Sequence, residues 1–244
     1  MKNNKTRIIM NMNPVYPNSL FPVLLAFAVL FCGVTVQYGH AQATGDRPDY
    51  SAYYYHKKNL FEQLPNGEEE IILLGDSITD GNEWAELFGN ERLKNRGISG
   101  DVTDGVLYRL DEVTESKPEK IFIMIGVNDL ARGRSAEYVL SHYEKIIDRI
   151  QQDSPDTEIY IQSILPVNDQ FSQFTSHYEK ADEIKAVNEE LEQLANRRDL
   201  TYIDLFDDMS VDGDQLNPEY TEDGLHLNGN GYMVWKSEIE QYMD

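Results

Sequence analysis

Two rhythms of apolar residues run through the chain. Short, largely apolar runs occupy residues 71–74, 121–125, 159–165 and 202–206, and a further strand is expected over 93–98. Between them, apolar residues recur at helical spacing: Val106, Leu110 and Val113; then Val139, Tyr143, Ile146, Ile147 and Ile150; then Ile184, Val187, Leu191 and Leu194. The runs predict strands buried on both faces, and the stripes predict amphipathic helices packed on them. Further helices are expected over residues 50–64, around Trp84, Leu87 and Phe88, and over 229–242. Pro65-Asn66-Gly67, Lys117-Pro118, Ser154-Pro155-Asp156 and Pro166 punctuate the pattern. Residues 100–105, 167–178 and 207–223 read as polar loops, the last strongly acidic. Strand and helix alternate from end to end. The fold class expected is α/β: a single three-layer α/β/α domain over residues 44–244, with a doubly wound parallel sheet of about five strands.

The first 43 residues follow another pattern. Lys2, Lys5 and Arg7 make a basic start, residues 20–36 are apolar, and Ala41-Gln42-Ala43 fits a small-x-small cleavage site. This is the layout of an export leader cut after Ala43, giving a periplasmic or secreted protein. The apolar run is borderline in length for a membrane anchor, which is the competing reading. The single cysteine, Cys32, lies inside this run and follows Phe31, where lipidation calls for a small residue. A cleaved chain would carry no thiol at all, hence no disulfide and no cysteine nucleophile.

Composition narrows the partners. The formal net charge is -22, and such a surface repels phosphate backbones and anionic lipid, so nucleic acid is not an expected partner. The Tyr53-Tyr54-Tyr55 run has two readings: a sugar-stacking patch, or a helix laying its aromatic side on the domain, which is preferred. His56, His142 and His177 are scattered without metal-ligand spacing. Asp212, Asp214 and Asn217 lack the spacing and glycine of a calcium loop. Neither metal nor cofactor is expected.

The chemistry gathers at strand ends. The run 71–74 breaks at Gly75 and delivers Ser77 within Gly75-Asp76-Ser77-Ile78-Thr79. In open α/β sheets the carboxyl edge is where ligands sit. Alone, Ser77 reads more readily as a helix cap. Three other segments should open on the same edge: Ser99-Gly100-Asp101, Gly126-Val127-Asn128-Asp129 and Asp223-Gly224-Leu225-His226. Together they supply what acyl transfer needs: a hydroxyl, an imidazole to take its proton, a carboxylate to orient the imidazole, and donors for an oxyanion. Gly75 to Thr79 does not match G-x-S-x-G, which argues against the α/β-hydrolase elbow. Asp80, Asp101 and Asp129 read as structural, holding turns through side-chain to backbone bonds.

In order and spacing these four blocks resemble the SGNH hydrolases, also called GDSL-type esterases, from about Glu70 to the C-terminus. The resemblance implies the flavodoxin-like fold of that family, Ser77 as nucleophile, and His226 and Asp223 as base and acid. It also implies an oxyanion hole made by the backbone N–H groups of Ser77 and Gly100 and the amide of Asn128. The one departure is Ile78 where leucine is usual. Leu225 and Leu227 flank His226 and are expected to anchor its loop between the sheet and the last helix. His226 capping that helix is the plain alternative.

The expected function is an exported serine esterase acting on short acyl groups, chiefly acetyl, on a carbohydrate such as a sialic acid or polysaccharide. The segments expected to rim the serine are polar: Asn82-Glu83, Asp101, Arg132-Gly133, Asn168-Asp169-Gln170 and Asp214. The second reading is a lysophospholipase or platelet-activating-factor acetylhydrolase-like enzyme. Trp84, Leu130, Phe171 and Phe174 keep it open, since the same side chains would stack on a sugar or hold an acyl tail. Trp84, Phe171 and Phe174 are the candidate substrate contacts. The rival from another class is a glycan-binding module without turnover, against which every catalytic position is filled.

Overall fold

A computed structural model describes residues 47–211 and 214–243. The basic start, the apolar run with Cys32, the Ala41-Gln42-Ala43 site and Asp212 lie outside the described residues. No helix among those described is long and apolar enough to cross a membrane.

The chain enters through helix α1 (Ala52–Gln63) and passes to β1 (Ile71–Gly75), α2 (Ser77–Asp80), α3 (Trp84–Phe88) and β2 (Leu93–Gly97). It continues through α4 (Thr103–Tyr108), α5 (Leu110–Thr114), β3 (Lys120–Met124), α6 (Val127–Ala131), α7 (Ala136–Asp153) and β4 (Glu158–Gln162). The last third holds α8 (Thr175–Tyr178), α9 (Ala181–Arg198), β5 (Thr201–Ile203), α10 (Phe206–Met209), a small antiparallel pair β6 (Ser210–Val211) and β7 (Gln215–Leu216), and α11 (Gly229–Ile239). The sheet runs β2-β1-β3-β4-β5 and every pairing in it is parallel. This is the expected three-layer α/β/α architecture.

Burial explains why the central strands read as apolar runs. All five residues of β1 and of β3 are buried, since helices cover both faces. In α7 the buried set includes the predicted stripe, Val139, Tyr143, Ile146, Ile147 and Ile150, and in α9 it includes Ile184, Val187, Leu191 and Leu194. Caps mark the helix starts: the side chains of Ser51, Ser135 and Asn228 each accept backbone N–H groups of the first turns of α1, α7 and α11.

Topology sets the site. The order reverses at β1, whose neighbours β2 and β3 lie on either side, and ligands bind at such a switch point. Register levels the three exits: Gly75 pairs with Gly97 and with Met124. The segments carrying Ser77, Gly100 and Asn128 therefore leave from one line. Gly75 also lets α2 fold back closely, because a Cβ there would sit 2.2 Å from Thr79 Oγ1 and 2.4 Å from the Met124 carbonyl.

Several boundaries differ from expectation. Residues 100–105 are not all turn: α4 begins at Thr103, whose N–H and hydroxyl donate to Asp129 at 2.9 and 2.8 Å. The stripe Val106, Leu110, Val113 spans two helices that meet at Arg109. The last strand stops at Ile203, because the Ser163 hydroxyl accepts the N–H groups of Leu205 and Phe206 and starts a helical turn there. The loop over 167–178 contains α8.

Candidate active site

Ser77 is the first residue of α2, so its N–H has no partner within the helix and points forward. Asp76 caps that helix by accepting Ile78 N–H at 3.0 Å. The Ser77 hydroxyl lies 3.0 Å from His226 Nε2, and His226 Nδ1 lies 2.8 Å from Asp223 Oδ2. Three residues separated by as many as 149 positions thus form one hydrogen-bonded line.

The loop that carries Asp223 and His226 is tied at every turn. Thr221 and Leu227 pair in an antiparallel bridge at its base. Asp223 Oδ1 accepts the N–H groups of Leu225 and His226 at 3.0 and 2.8 Å. The Thr221 hydroxyl accepts Gly224 N–H at 2.8 Å. Gly224 has φ +81°, and a Cβ there would lie 2.5 Å from the Asn168 carbonyl and 2.8 Å from the Phe171 ring, so only glycine fits. Leu225 and Leu227 are buried as expected. Capping of α11 falls to Asn228, not His226. Burial pushes the Asp223 carboxyl up, but the bonds from the His226 side chain and from two backbone N–H groups outweigh it and hold Asp223 below the usual aspartate range.

Asn128 joins the other two exits. Its Nδ2 donates to the Asp101 carbonyl at 3.0 Å and, more weakly, to Asp76 Oδ2 at 3.3 Å. Gly100, with φ +77°, is adjacent to that carbonyl, and its own carbonyl accepts from Arg132 Nη2 at 2.7 Å. Beside Gly100 lies a cavity of about 250 Å³ lined by residues including Tyr50, Tyr54, Ser99 and Arg132.

The three expected substrate contacts separate. Trp84 is only 1 % exposed; its indole N–H donates to the Thr79 carbonyl at 2.9 Å and its ring packs edge-on to Trp235, 4.8 Å between centroids. It is a core residue of the α3–α11 contact and offers no surface to a substrate. Leu130 is buried too. Phe171 is partly buried against Gly224. Phe174, also partly buried, sets its ring edge-on to His226 at 5.1 Å. Of the expected polar rim, Asp101 and Asn168 are buried, while Arg132 remains exposed.

The aspartates beyond the line do more than hold turns. Asp80 accepts from Lys57 at 2.6 Å and from Tyr53 at 2.7 Å, tying α1 to the domain. Asp101 and Asp129 are fully buried acceptors. Asp101 pairs with Arg109 at 2.9 Å. Sequence reasoning missed Arg109, which also donates to Glu112 and to the carbonyls of Arg96 and Gly75. One buried guanidinium so braces the ends of β1 and β2 and the turn of Gly100. No local pattern marks it, because its role is set by the strand-end carbonyls of Arg96 and Gly75, 13 and 34 positions away.

Asp76 is buried beside Asp101 and Asp129; desolvation above all, then these two carboxylates, push its pKa up to about 7. Because the folded value lies above the unfolded one, the folded state holds more protons across that interval, and stability falls as pH rises through it. The urea midpoint is expected to decline from about pH 4 to about pH 7, and Asp76→Asn to flatten that decline. An equally steep decline in the variant would assign the effect to other groups.

The GDSL-like Lipase/Acylhydrolase family model matches residues 73–234. Over 171 residues the chain is 30% identical to human platelet-activating factor acetylhydrolase IB subunit alpha2, spanning 68% of this chain and 72% of that protein. The rat protein of the same name is 28% identical over the same length. A solved GDSL-like lipase from Bacteroides thetaiotaomicron matches with TM-score 0.69 at 23% identity, covering 78% of this chain and 96% of that one, and speaks for the fold. The match takes in all four blocks and the sheet that levels them, and the chain belongs to the GDSL-like lipase/acylhydrolase family, as a carboxylic ester hydrolase.

Proposed function

We propose that this chain is a serine esterase that removes short acyl groups, chiefly acetyl, from a carbohydrate alcohol. The observation that carries the reading is the line from Asp223 through His226 to Ser77 at the switch point of the sheet. Ser77 Oγ attacks the ester carbonyl while His226 Nε2 takes its proton, and Asp223 holds the imidazole and stabilises its charge. The N–H groups of Ser77 and Gly100 and the Asn128 amide hold the oxyanion. The long 3.3 Å bond from Asn128 to Asp76 is the one most readily exchanged for it. His226 then returns the proton to the leaving alcohol, and water, activated by the same imidazole, hydrolyses the acyl-enzyme. No cofactor enters these steps.

Short acyl groups fit the surroundings. A long chain needs several apolar contacts in line, since each buried methylene contributes only about 0.8 kcal/mol. Two of the four candidate apolar contacts, Trp84 and Leu130, are buried in the core. The cavity beside Gly100 offers the Tyr50 ring with the Arg132 guanidinium and the Ser99 hydroxyl, a combination suited to a hydroxylated ring. The second reading puts a phospholipid on the alcohol side; the names of the mammalian relatives favour it, and they agree on acetyl. Export belongs to the proposal as well, supported by the basic start, the apolar run and the Ala-x-Ala site. The mass of the exported protein would test the cut after Ala43.

On p-nitrophenyl esters, kcat/KM is expected to be highest for acetate and to fall toward octanoate. A rise with chain length sinks the short-acyl claim. If acetate wins but a platelet-activating-factor analogue is cleaved and no acetylated sugar is, the alcohol is a lipid.

A further inference from the structure

His177 fell outside every motif in the sequence, yet its Nε2 lies 3.1 Å from Asn128 Oδ1. A side-chain amide has two orientations that differ little in shape, and its terminal torsion is soft. Its neighbours decide which is taken. The Asp101 carbonyl can only accept, so the Asn128 atom 3.0 Å away is the NH2 group. Oδ1 therefore faces His177, and Nε2 must carry the hydrogen of that bond.

We infer that His177 is a positioning residue of the oxyanion hole, donating from Nε2 to Asn128 Oδ1 so that the amide presents its N–H groups to the reaction. The inference rests on the role given to Asn128 above. Two bonds on opposite ends of the amide, one to Asp101 and one from His177, restrict a torsion that either alone leaves loose. The other orientation would aim lone pairs at the Asp101 carbonyl and at the oxyanion.

The rest of α8 and Phe174 just before it hold this contact. The Phe174 ring sits edge-on to His177 at 5.7 Å and edge-on to His226 at 5.1 Å, so one ring spaces the two imidazoles. The Tyr178 hydroxyl donates to the Asp223 carbonyl and accepts Phe174 N–H at 3.1 Å. One short segment thus touches the amide, the base and the acid. His177 Nδ1 faces the Ser176 hydroxyl at 3.5 Å, consistent with hydrogen on Nε2 alone. Burial first, then the charges of His226 and Arg132, lower the His177 pKa and keep it neutral. A neutral ring still donates, and it adds no positive charge beside the imidazole that must take a proton.

The test is steady-state hydrolysis of p-nitrophenyl acetate by the full chain. His177→Leu and His177→Phe remove the donor and keep the bulk beside Phe174; His177→Gln keeps an N–H near the same place. Both apolar variants are expected to lose at least ~10-fold in kcat with KM within about twofold, and His177→Gln to recover most of it. In an Asn128→Ala background His177→Leu should cost nothing further, because its partner is gone. Unchanged kcat in a folded apolar variant, a loss that persists in the Asn128→Ala background, or no recovery by Gln in a protein of unaltered melting temperature would each overturn the inference. These results are distinct from failure of the esterase reading, which would appear as turnover surviving Ser77→Ala.

Discussion

Ser77→Ala and His226→Ala are each expected to lower kcat by at least ~10³-fold, as when either member of a serine–histidine pair is removed. Without the hydroxyl no acyl-enzyme forms; without the imidazole the hydroxyl keeps its proton as it attacks. Asp223→Ala should cost less. In the proposed triad Asp223 stabilises and aims the imidazole, but Phe174 packs against the same ring and Leu225 and Leu227 anchor the loop on either side of it. Its loss has a second component, since Asp223 Oδ1 also accepts two loop N–H groups. A fluorophosphonate probe separates chemistry from folding: it should label the wild type and not Ser77→Ala, with both proteins melting alike. Near-wild-type turnover in Ser77→Ala or His226→Ala would end the triad assignment, and an unlabelled wild type would favour the glycan-binding module.

What the sequence exposed and what it hid have physical causes. The strands were legible because parallel strands covered on both faces need apolar side chains throughout, and Ile71 to Leu74 has nothing else. The stripes of α7 and α9 were legible because one face of each meets the sheet. The block from Asp223 to His226 is local, so its resemblance to the family's D-x-x-H block was legible once the other three blocks stood beside it. Trp84 misled because an aromatic residue just beyond a glycine-rich strand end reads the same whether it faces solvent or core. Its partner Trp235 is 151 positions away, and only tertiary packing decides. Arg109 and His177 were invisible for a related reason: each is defined by partners from other elements, the one by Asp101, Glu112 and two strand-end carbonyls, the other by a single amide on α6. The start of α4 was hidden because Thr103 draws its anchoring bonds from Asp129, a residue of the next exit along the sheet.

Asn128→Ala is expected to lower kcat by ~10²–10³-fold with little change in KM, the range seen when one oxyanion donor is removed. The argument is differential. A ground-state ester carbonyl carries little charge and gains little from another donor; the tetrahedral oxyanion carries a full charge in a site shielded from water, so the same N–H matters far more there. In the resting protein that N–H is held at 3.3 Å by Asp76, a weak bond whose replacement costs little. The fold should survive the change, because the Asp76 carboxyl keeps its bond from Ile78 N–H, and the Asp101 carboxylate, held by Arg109 and Val102 N–H, still fixes the turn whose carbonyl loses the Asn128 bond. Asn128→Asp sharpens the test. It preserves shape but sets a carboxylate against the Asp101 carbonyl, the Asp76 carboxyl and the developing oxyanion, so its loss in kcat should equal or exceed that of alanine. A large rise in KM with kcat intact would show instead that Asn128 binds substrate and transition state alike. The oxyanion would then rest on the N–H groups of Ser77 and Gly100 alone.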